Sequence, residues 1–245
     1  MYVNMAGNAV EDLGPLVALP GLVELDISDN ALTSCLDFCP PHCTDTTAWA
    51  TGHKAVGSML TVANAANNRI ADMGKGLAAR HPFLECLVLR GNRIERLSGV
   101  AGLRFLQVLD LSRNRIRRIE GLDNLPLVEL NLAGNHLTEL SGLQQLPRLS
   151  VLNVADNHVR SLGPLGDCSQ LHHVDARGNQ LEHVRQTEFL ADLQWLHHIL
   201  LTGNPCCAKP HYRLRAAFRL QTLQTLDGVT VTAEEKVRAC VCGSA

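Results

Sequence analysis

The 245-residue sequence predicts an α/β solenoid, a stack of short coils whose parallel strands line one curved face. Three observations carry that prediction. Asparagine recurs at positions 8, 30, 68, 92, 114, 135, 157, 179 and 204, at intervals of 22, 38, 24, 22, 21, 22, 22 and 25 residues. Each asparagine from Asn30 onward closes an L-x-x-L-x-L-x-x-N frame or an apolar variant of it, as in Leu106/Leu109/Leu111/Asn114 and Leu149/Leu152/Val154/Asn157. The composition is 46% hydrophobic but only 4% aromatic, so leucine builds the core.

Each position of the frame has a physical reason. We number it from the first leucine, so that the asparagine is position nine. Apolar residues at positions four and six alternate along a short strand and point to one side of it. Positions two, three, five and seven are expected to face outward. A buried asparagine satisfies backbone groups of the turn that leaves the strand, and stacked copies form a ladder. After it, x-I-x-x-I-x-x-L, as in Ile116/Ile119/Leu122, brings the chain back along the other side of the coil. Most glycines fall just before the asparagine or on this return. One coil cannot bury its face alone, so neighbours stack. Nine strands at about 4.8 Å spacing give an arc on the order of 40 Å.

At these residues the chain resembles the leucine-rich repeats of the roughly 22-residue SDS class. That pattern is shared by the type-one protein phosphatase regulator, the axonemal outer-arm dynein light chain and the spliceosomal A-prime protein. The end of the chain extends the resemblance. Leu201-Thr202-Gly203-Asn204-Pro205, Tyr212-Arg213, Leu223-Gln224-Thr225-Leu226-Asp227-Gly228 and Val231-Thr232-Ala233-Glu234-Glu235 are similar to the C-terminal cap of that family. The resemblance implies a right-handed leucine-rich-repeat horseshoe with a parallel concave sheet and a C-terminal helical cap. The expected organisation is residues 1–204 as repeats, about nine coils with the first one partial and an insertion near 35–59. Residues 205–245 are the cap and tail.

Two places break the pattern. Val3, Met5 and Asn8 fit positions four, six and nine, so the chain starts inside a repeat. An open leucine edge is an aggregation liability, and the reading expected here is truncation of the chain or gene model rather than a partner covering that edge. The 38-residue interval between Asn30 and Asn68 is longer than one repeat and contains Cys35, Cys39, Pro40, Pro41, His42, Cys43 and His53. Thiolates and imidazoles at short spacing suit zinc. The C-x3-C-x3-C spacing with His42 beside Cys43 does not match a pair of chelating knuckles, so the segment reads as a loop. Such a loop carries contacts specific to this protein, or arises from a wrongly drawn exon boundary.

Charge is concentrated in the middle of the chain. Residues 1–62 carry one basic and seven acidic residues, residues 63–118 eleven and four, and residues 119–245 ten and thirteen. A basic middle between two acidic ends, with a formal net charge of -2, predicts a localised basic surface and not a general nucleic-acid binder. No apolar run reaches the length of a membrane span, and the N-terminus lacks a basic region followed by an apolar stretch. Nine cysteines, an odd number with Cys206 and Cys207 adjacent, do not read as a secreted disulfide framework. A reducing compartment is expected: cytoplasmic, in a cytoskeletal or axonemal setting, with nuclear as the alternative.

No phosphate-binding G-x-x-x-x-G-K-[ST], dinucleotide fingerprint, H-E-x-x-H or G-x-S-x-G motif is present, so no enzyme activity, cofactor or metal is expected. The predicted outward columns are position three (Glu24, Val62, Cys86, Val108, Glu129, Val151, His173, His198) and position five (Asp26, Asn64, Val88, Asp110, Asn131, Asn153, Asp175, Leu200). They combine an acidic-amide stripe with an apolar patch at Val62, Cys86, Val88 and Val108, the composition of a protein-binding site. The candidate contact residues are Val62, Val88, Val108, Asp110, Glu129, Asn131, Asn153, His173, Asp175 and His198. His172-His173 and His197-His198 share two positions of adjacent coils near Asp175 and read as a pH-sensitive contact rather than a metal site.

Arg69, Arg93 and Arg115 follow the ladder asparagines, His136 and His158 continue that column, and Arg90, Arg113, Arg117 and Arg118 add to it. Stacking turns them into a basic stripe. The stripe contains no aromatic residue, so direct base reading is not expected. The sequence therefore predicts a non-catalytic scaffold that binds a protein partner on its concave face, a monomeric subunit of a larger complex. The resemblance implies a cytoskeletal or axonemal assembly first and a phosphatase catalytic subunit next. A ribonucleoprotein-associated subunit, or phosphate or RNA-backbone binding through the arginine stripe, is the alternative.

Overall fold

The structure, a computed structural model, describes residues 1–19, 21–38 and 58–243. Among these, eleven strands form one sheet in strict sequence order. Nine three-residue strands run parallel: β1 (Tyr2–Asn4), β2 (Glu24–Asp26), β3 (Val62–Asn64), β4 (Cys86–Val88), β5 (Val108–Asp110), β6 (Glu129–Asn131), β7 (Val151–Asn153), β8 (His173–Asp175) and β9 (His198–Leu200). β10 (Thr225–Leu226) continues the parallel order and β11 (Val229–Thr230) turns back antiparallel. The returns are short: α1 (Leu77–Arg80) and 3-10 turns such as Leu143–Gln145 and Gly163–Leu165.

The register is the one the repeat dictates. Positions three, four and five of each coil sit opposite the same positions of the next, as in Val108↔Glu129, Leu109↔Leu130 and Asp110↔Asn131. The position-four side chains, Leu25, Ala63, Leu87, Leu109, Leu130, Leu152, Val174 and Ile199, are all buried. With the leucines of positions one and six and the apolar residues of the return, they form one continuous core along the stack. Each fully buried leucine contributes about 2 kcal/mol relative to exposure. Cys35 belongs to this core, only 2% exposed, and burial pushes its thiol up to about 12. The sequence placed it at the edge of the insertion, whereas the structure gives it the packing role of Met73 and Leu97 in later coils. Cys39, His42, Cys43 and His53 lie outside the described residues.

The asparagine ladder joins each coil to the one before. Asn135 Nδ2 donates to the carbonyl of Leu132 in its own coil at 2.9 Å and to that of Leu111 in the preceding coil at 3.0 Å. Its Oδ1 accepts the Ile116 amide at 3.0 Å. Asn68, Asn92, Asn114, Asn157, Asn179 and Asn204 repeat the triad, buried in every case. Position eight, just before the asparagine, has positive φ in all nine coils, from +53° to +80°. That region is open to Gly, Asn and Asp at little cost, and Gly7, Asp29, Asn67, Gly91, Gly134, Asp156, Gly178 and Gly203 occupy it. Arg113 is the exception.

The insertion stands on a buried polar clamp. His81 is fully buried; its Nε2–H donates to the Leu36 carbonyl at 2.9 Å, which leaves Nδ1 bare to accept the Ser58 hydroxyl. Phe38 packs on the ring at a centroid distance of 4.8 Å, and Arg80 pairs with Asp37 at 2.7 Å. The residues on either side of 39–57 are thus held by one imidazole.

At the other end a cap closes the stack. Asp227 Oδ1 accepts the amides of Leu201 at 2.7 Å and Thr202 at 3.0 Å, and Oδ2 accepts the Tyr212 hydroxyl at 2.8 Å. The cap helix α2 (Tyr212–Arg219) packs against α3 (Ala233–Gly243). Thr232 and Glu235 exchange hydrogen bonds at the start of α3, a reciprocal capping box, and Arg213 holds Glu235 at 2.6 Å.

Two outcomes test this account. Replacing Asn135 by Asp removes both donated bonds and buries a charge against two carbonyls, so Asn135→Asp is expected to cost at least as much as Asn135→Ala, about 3 kcal/mol or more. Urea denaturation of the two variants decides it. His81, whose pKa burial lowers from 6.5 to about 4, stays neutral when folded while the unfolded chain takes up a proton. Its contribution is complete above pH 6.5 and is lost as pH falls toward 4, in total about 3 kcal/mol. The wild-type stability difference between these pH values should exceed that of His81→Gln by this amount.

Candidate functional site

The concave face is built from the side chains of positions two, three and five. Position three forms an unbroken column, Glu24, Val62, Cys86, Val108, Glu129, Val151, His173 and His198, each opposite the next across the sheet. Val62, Val108 and His198 are half-buried, and Glu129 is exposed. Burial first, then the neighbouring His198, lowers the His173 pKa; Asp175 opposes this and Arg177 adds to it.

Position five has a structural duty that the sequence reading did not find. Asp26, Asn64, Asp110, Asn131, Asn153 and Asp175 each accept, on Oδ1, the backbone amide two residues on, at 2.8–3.2 Å. These are Asx turns, and they fold the chain out of the strand toward the ladder asparagine. The acidic-amide stripe is therefore first a turn device. Asp175 is 4% exposed and its carboxylate is also held by Arg177 at 2.7 Å. Position seven was expected to face outward; Arg90, Arg177 and Thr202 are exposed, whereas the smaller Ser28, Ala66, Ser112 and Ala155 are buried.

Two coils lack the device. At β9 position five is Leu200, and Asp227 of the cap reaches the position-seven amide of Thr202 instead. At β4 position five is Val88, and no described side chain accepts the Arg90 amide. Val88 thus gives up a turn hydrogen bond to put a branched apolar side chain beside Val62, Cys86 and Val108 on the concave face. Arg113, the left-handed arginine at position eight, stands in the adjacent coil.

A further apolar column borders this patch. The residue just before position one is Met59, Phe83 and Phe105 in the same three coils, 55%, 42% and 51% exposed, with the two phenyl rings 6.0 Å apart. The next three coils place Pro126, Arg148 and Gln170 there, and the coil after them places Trp195. The signal was present in the sequence, at the same spacing as the asparagines, but it lies outside the frame by which the columns were read. At the C-terminal part of the face, His172 stacks on exposed Trp195 at 5.8 Å, and His172–His197 and His173–His198 lie 6.0 Å apart between ring centroids. His198 Nδ1 bonds Thr225 Oγ1 at 2.8 Å. Among the described residues no group of three or more His, Cys, Asp or Glu side chains could hold a metal ion.

The arginine stripe is separate from this face, beyond the buried asparagine row. Arg69, Arg93, Arg115, Arg117 and Arg118 are all exposed, and the position-ten amides continue a backbone ladder, Arg93 to Ile70 and Arg115 to Ile94. His136 and His158 stack in the same column, 6.2 Å apart. The stripe is not uniformly basic. Asp72 and Glu95 line one cavity with Arg93, Arg96 and Arg115, and Glu95 and Glu120 line the next with Arg96, Arg117 and Arg118. Arg90 and Arg113 fall at positions seven and eight, nearer the strand ends than the ridge.

No helix among the described residues is long and apolar enough to cross a membrane. Five described cysteines, Cys35, Cys86, Cys168, Cys206 and Cys207, carry free thiols.

Residues 127–241 match a family model described as a leucine-rich repeat, and residues 82–124 match one described as leucine-rich repeats in two copies. No curated protein matches the chain at a significant level. Among solved structures, a leucine-rich-repeat protein of Leptospira interrogans superposes with a TM-score of 0.70 at 21% identity, covering 92% of this chain and 59% of that one. An internalin (inlF) of Listeria monocytogenes gives 0.62 at 20% identity, over 94% of this chain and 67% of that one. The SNF/U2A' complex of Drosophila melanogaster matches 54% of this chain and 78% of that one, at 28% identity and a TM-score of 0.49. Leucine-rich repeats are generally scaffolds for protein interaction. The asparagine ladder, the one-strand-per-coil sheet and the two family-model matches agree, and the chain belongs to the leucine-rich-repeat proteins.

Proposed function

We propose that this protein is a non-catalytic subunit that holds a partner polypeptide on its concave face, centred on β3–β5. The observation that carries the reading is Val88. In the described coils around it, position five is an Asx residue that closes the turn, and here a turn bond is given up for an apolar surface. Val62, Cys86 and Val108 adjoin it in register, and Met59, Phe83 and Phe105 extend the apolar area to the rim. Bulky apolar side chains at the centre with polar side chains around them are the arrangement that gives binding energy to an interface.

A rigid sheet pays little ordering cost on binding. The contact set is Val62, Val88, Val108, Asp110, Glu129, Asn131, Asn153, His173, Asp175 and His198. The Asx residues and Asp175 take part through whatever hydrogen-bonding capacity their turns leave. By family resemblance the complex is cytoskeletal or axonemal, or contains a phosphatase catalytic subunit, in the cytoplasm. The interleaved carboxylates of the arginine ridge favour this reading over RNA-backbone binding.

Val88→Asn separates stability from function. It supplies the missing acceptor for the Arg90 amide and is expected to stabilise the protein by about 1 kcal/mol, read from the urea midpoint. In affinity capture of tagged chains from their own cells, quantified by mass spectrometry, Val88→Asn and Phe105→Asp should lose one set of proteins about tenfold. Arg117→Glu should keep it. Retention by the concave variants with ribonuclease-sensitive loss on Arg117→Glu would move the function to the ridge.

A further inference from the structure

The C-terminal cap holds a cavity of about 320 Å³ lined by His183, Val184, Arg185, Lys209, Arg215 and Arg219. It forms where the 3-10 helix Val184–Leu190, the end of the turn Pro205–Ala208 and α2 meet. Helix α2 carries arginines with two different duties. Arg213 is tied up in the cap, bound to Glu235 and to the carbonyls of Leu226 and Thr230. Arg215 and Arg219, four residues apart and so on one helical face, line the cavity. Arg219 is held in place by Glu188 at 2.7 Å and by the Arg215 carbonyl at 3.2 Å. Arg185, Lys209 and Arg215 form no ion pair among the described residues.

The contrast with the arginine ridge is decisive. Both ridge cavities are lined by carboxylates that neutralise part of their charge, whereas no carboxylate lines this one. Four permanent cations gathered on one cavity repel one another, and Glu188 offsets one of them. An anion bound between them relieves that repulsion.

We infer that this cavity binds the phosphate monoester of a phosphorylated serine or threonine in a partner polypeptide. Guanidinium forks match phosphate oxygens two at a time, and a charge near minus two suits a convergent group of cations better than a single carboxylate does. An RNA backbone calls for a row of cations, and these line a single cavity. No Phe, Tyr or Trp lines the cavity, the His183 imidazole is the one ring a base could stack on, and Val184 is its one apolar lining residue, so a nucleoside or a lipid chain finds little surface to bury itself against. The two helical segments that form the cavity also expose Phe189 and Phe218, 50% and 36%, which offer a polypeptide apolar contact outside it.

The test uses a fluorescent degenerate peptide pool with a fixed central phosphoserine, against the same pool with serine, by anisotropy on the full chain at physiological salt. The phosphorylated pool should bind about tenfold more tightly, and inorganic phosphate should displace it more effectively than chloride at equal ionic strength. Arg185→Gln with Arg215→Gln, both exposed positions, should bring the two pools level with no change in melting temperature. Arg93→Gln with Arg117→Gln on the ridge should leave the preference intact. Val88→Asn should leave it intact too, so failure of the concave-face reading does not touch this one. Equal binding of the two pools, equal loss in the ridge variant, or a preference for RNA homopolymer or phosphoinositide vesicles over the phosphorylated pool would overturn it.

Discussion

Every coil of this protein must bury the point at which its strand ends and its turn begins, and that point carries backbone groups with no strand partner. One primary amide per coil meets the need. Its nitrogen donates to two carbonyls and its oxygen accepts one amide, and two of those three groups belong to the preceding coil. Aspartate cannot donate, and an apolar residue can do neither, so asparagine is required by the count of donors and acceptors. Because the bonds reach backwards, each coil is completed only by its neighbour. The whole register of the sheet, and with it the alignment of the concave columns, follows from this repeated connection.

The departures from the repeat are of two kinds. Some are repaired. Leu200 lacks the turn-closing oxygen, and Asp227 brings one from the cap while also bonding Tyr212, so the last coil is finished by the cap itself. The insertion interrupts the second coil, and His81 with Ser58, Leu36 and Phe38 restores its packing. Others are left as they are. At Val88 no described side chain substitutes as acceptor, and Arg113 keeps a left-handed conformation in which Gly or Asn would be at ease, at a cost on the order of 1 kcal/mol. Val88 lies in the apolar area itself, and Arg113 follows the strand of the next coil.

Charge in this molecule is organised by what surrounds each arginine rather than by how many there are. Arg177 is spent on Asp175, Arg213 on Glu235 and Arg80 on Asp37. The ridge arginines share their cavities with Asp72, Glu95 and Glu120. The cap arginines face a cavity without a carboxylate. The densest basic stretch of the sequence is thus the more neutralised surface, and the more strongly basic site arises where three separate segments converge.

The sequence alone determined the architecture, because the frame repeats at a fixed interval and the physical role of each frame position depends only on its immediate neighbours. The core leucines, the asparagine row and the position-three column were all legible from spacing. Position five was misjudged in part: alternation says that Asp110 and Asn131 face outward, but not that an oxygen of each bends back to its own backbone. Position seven was legible only in part: the longer Arg90 and Arg177 reach solvent as alternation says, whereas the small Ser28, Ala66, Ser112 and Ala155 are covered, for a turn two residues after a strand breaks the alternation that located them. Met59, Phe83 and Phe105 were visible but lay outside the frame. The cavity at the cap was not legible at all, for Arg185, Lys209 and Arg215 belong to no repeat and meet only once the helix α2 packs against the last coils. Periodicity carries local order through the chain; encounters between segments that do not repeat are decided by tertiary packing.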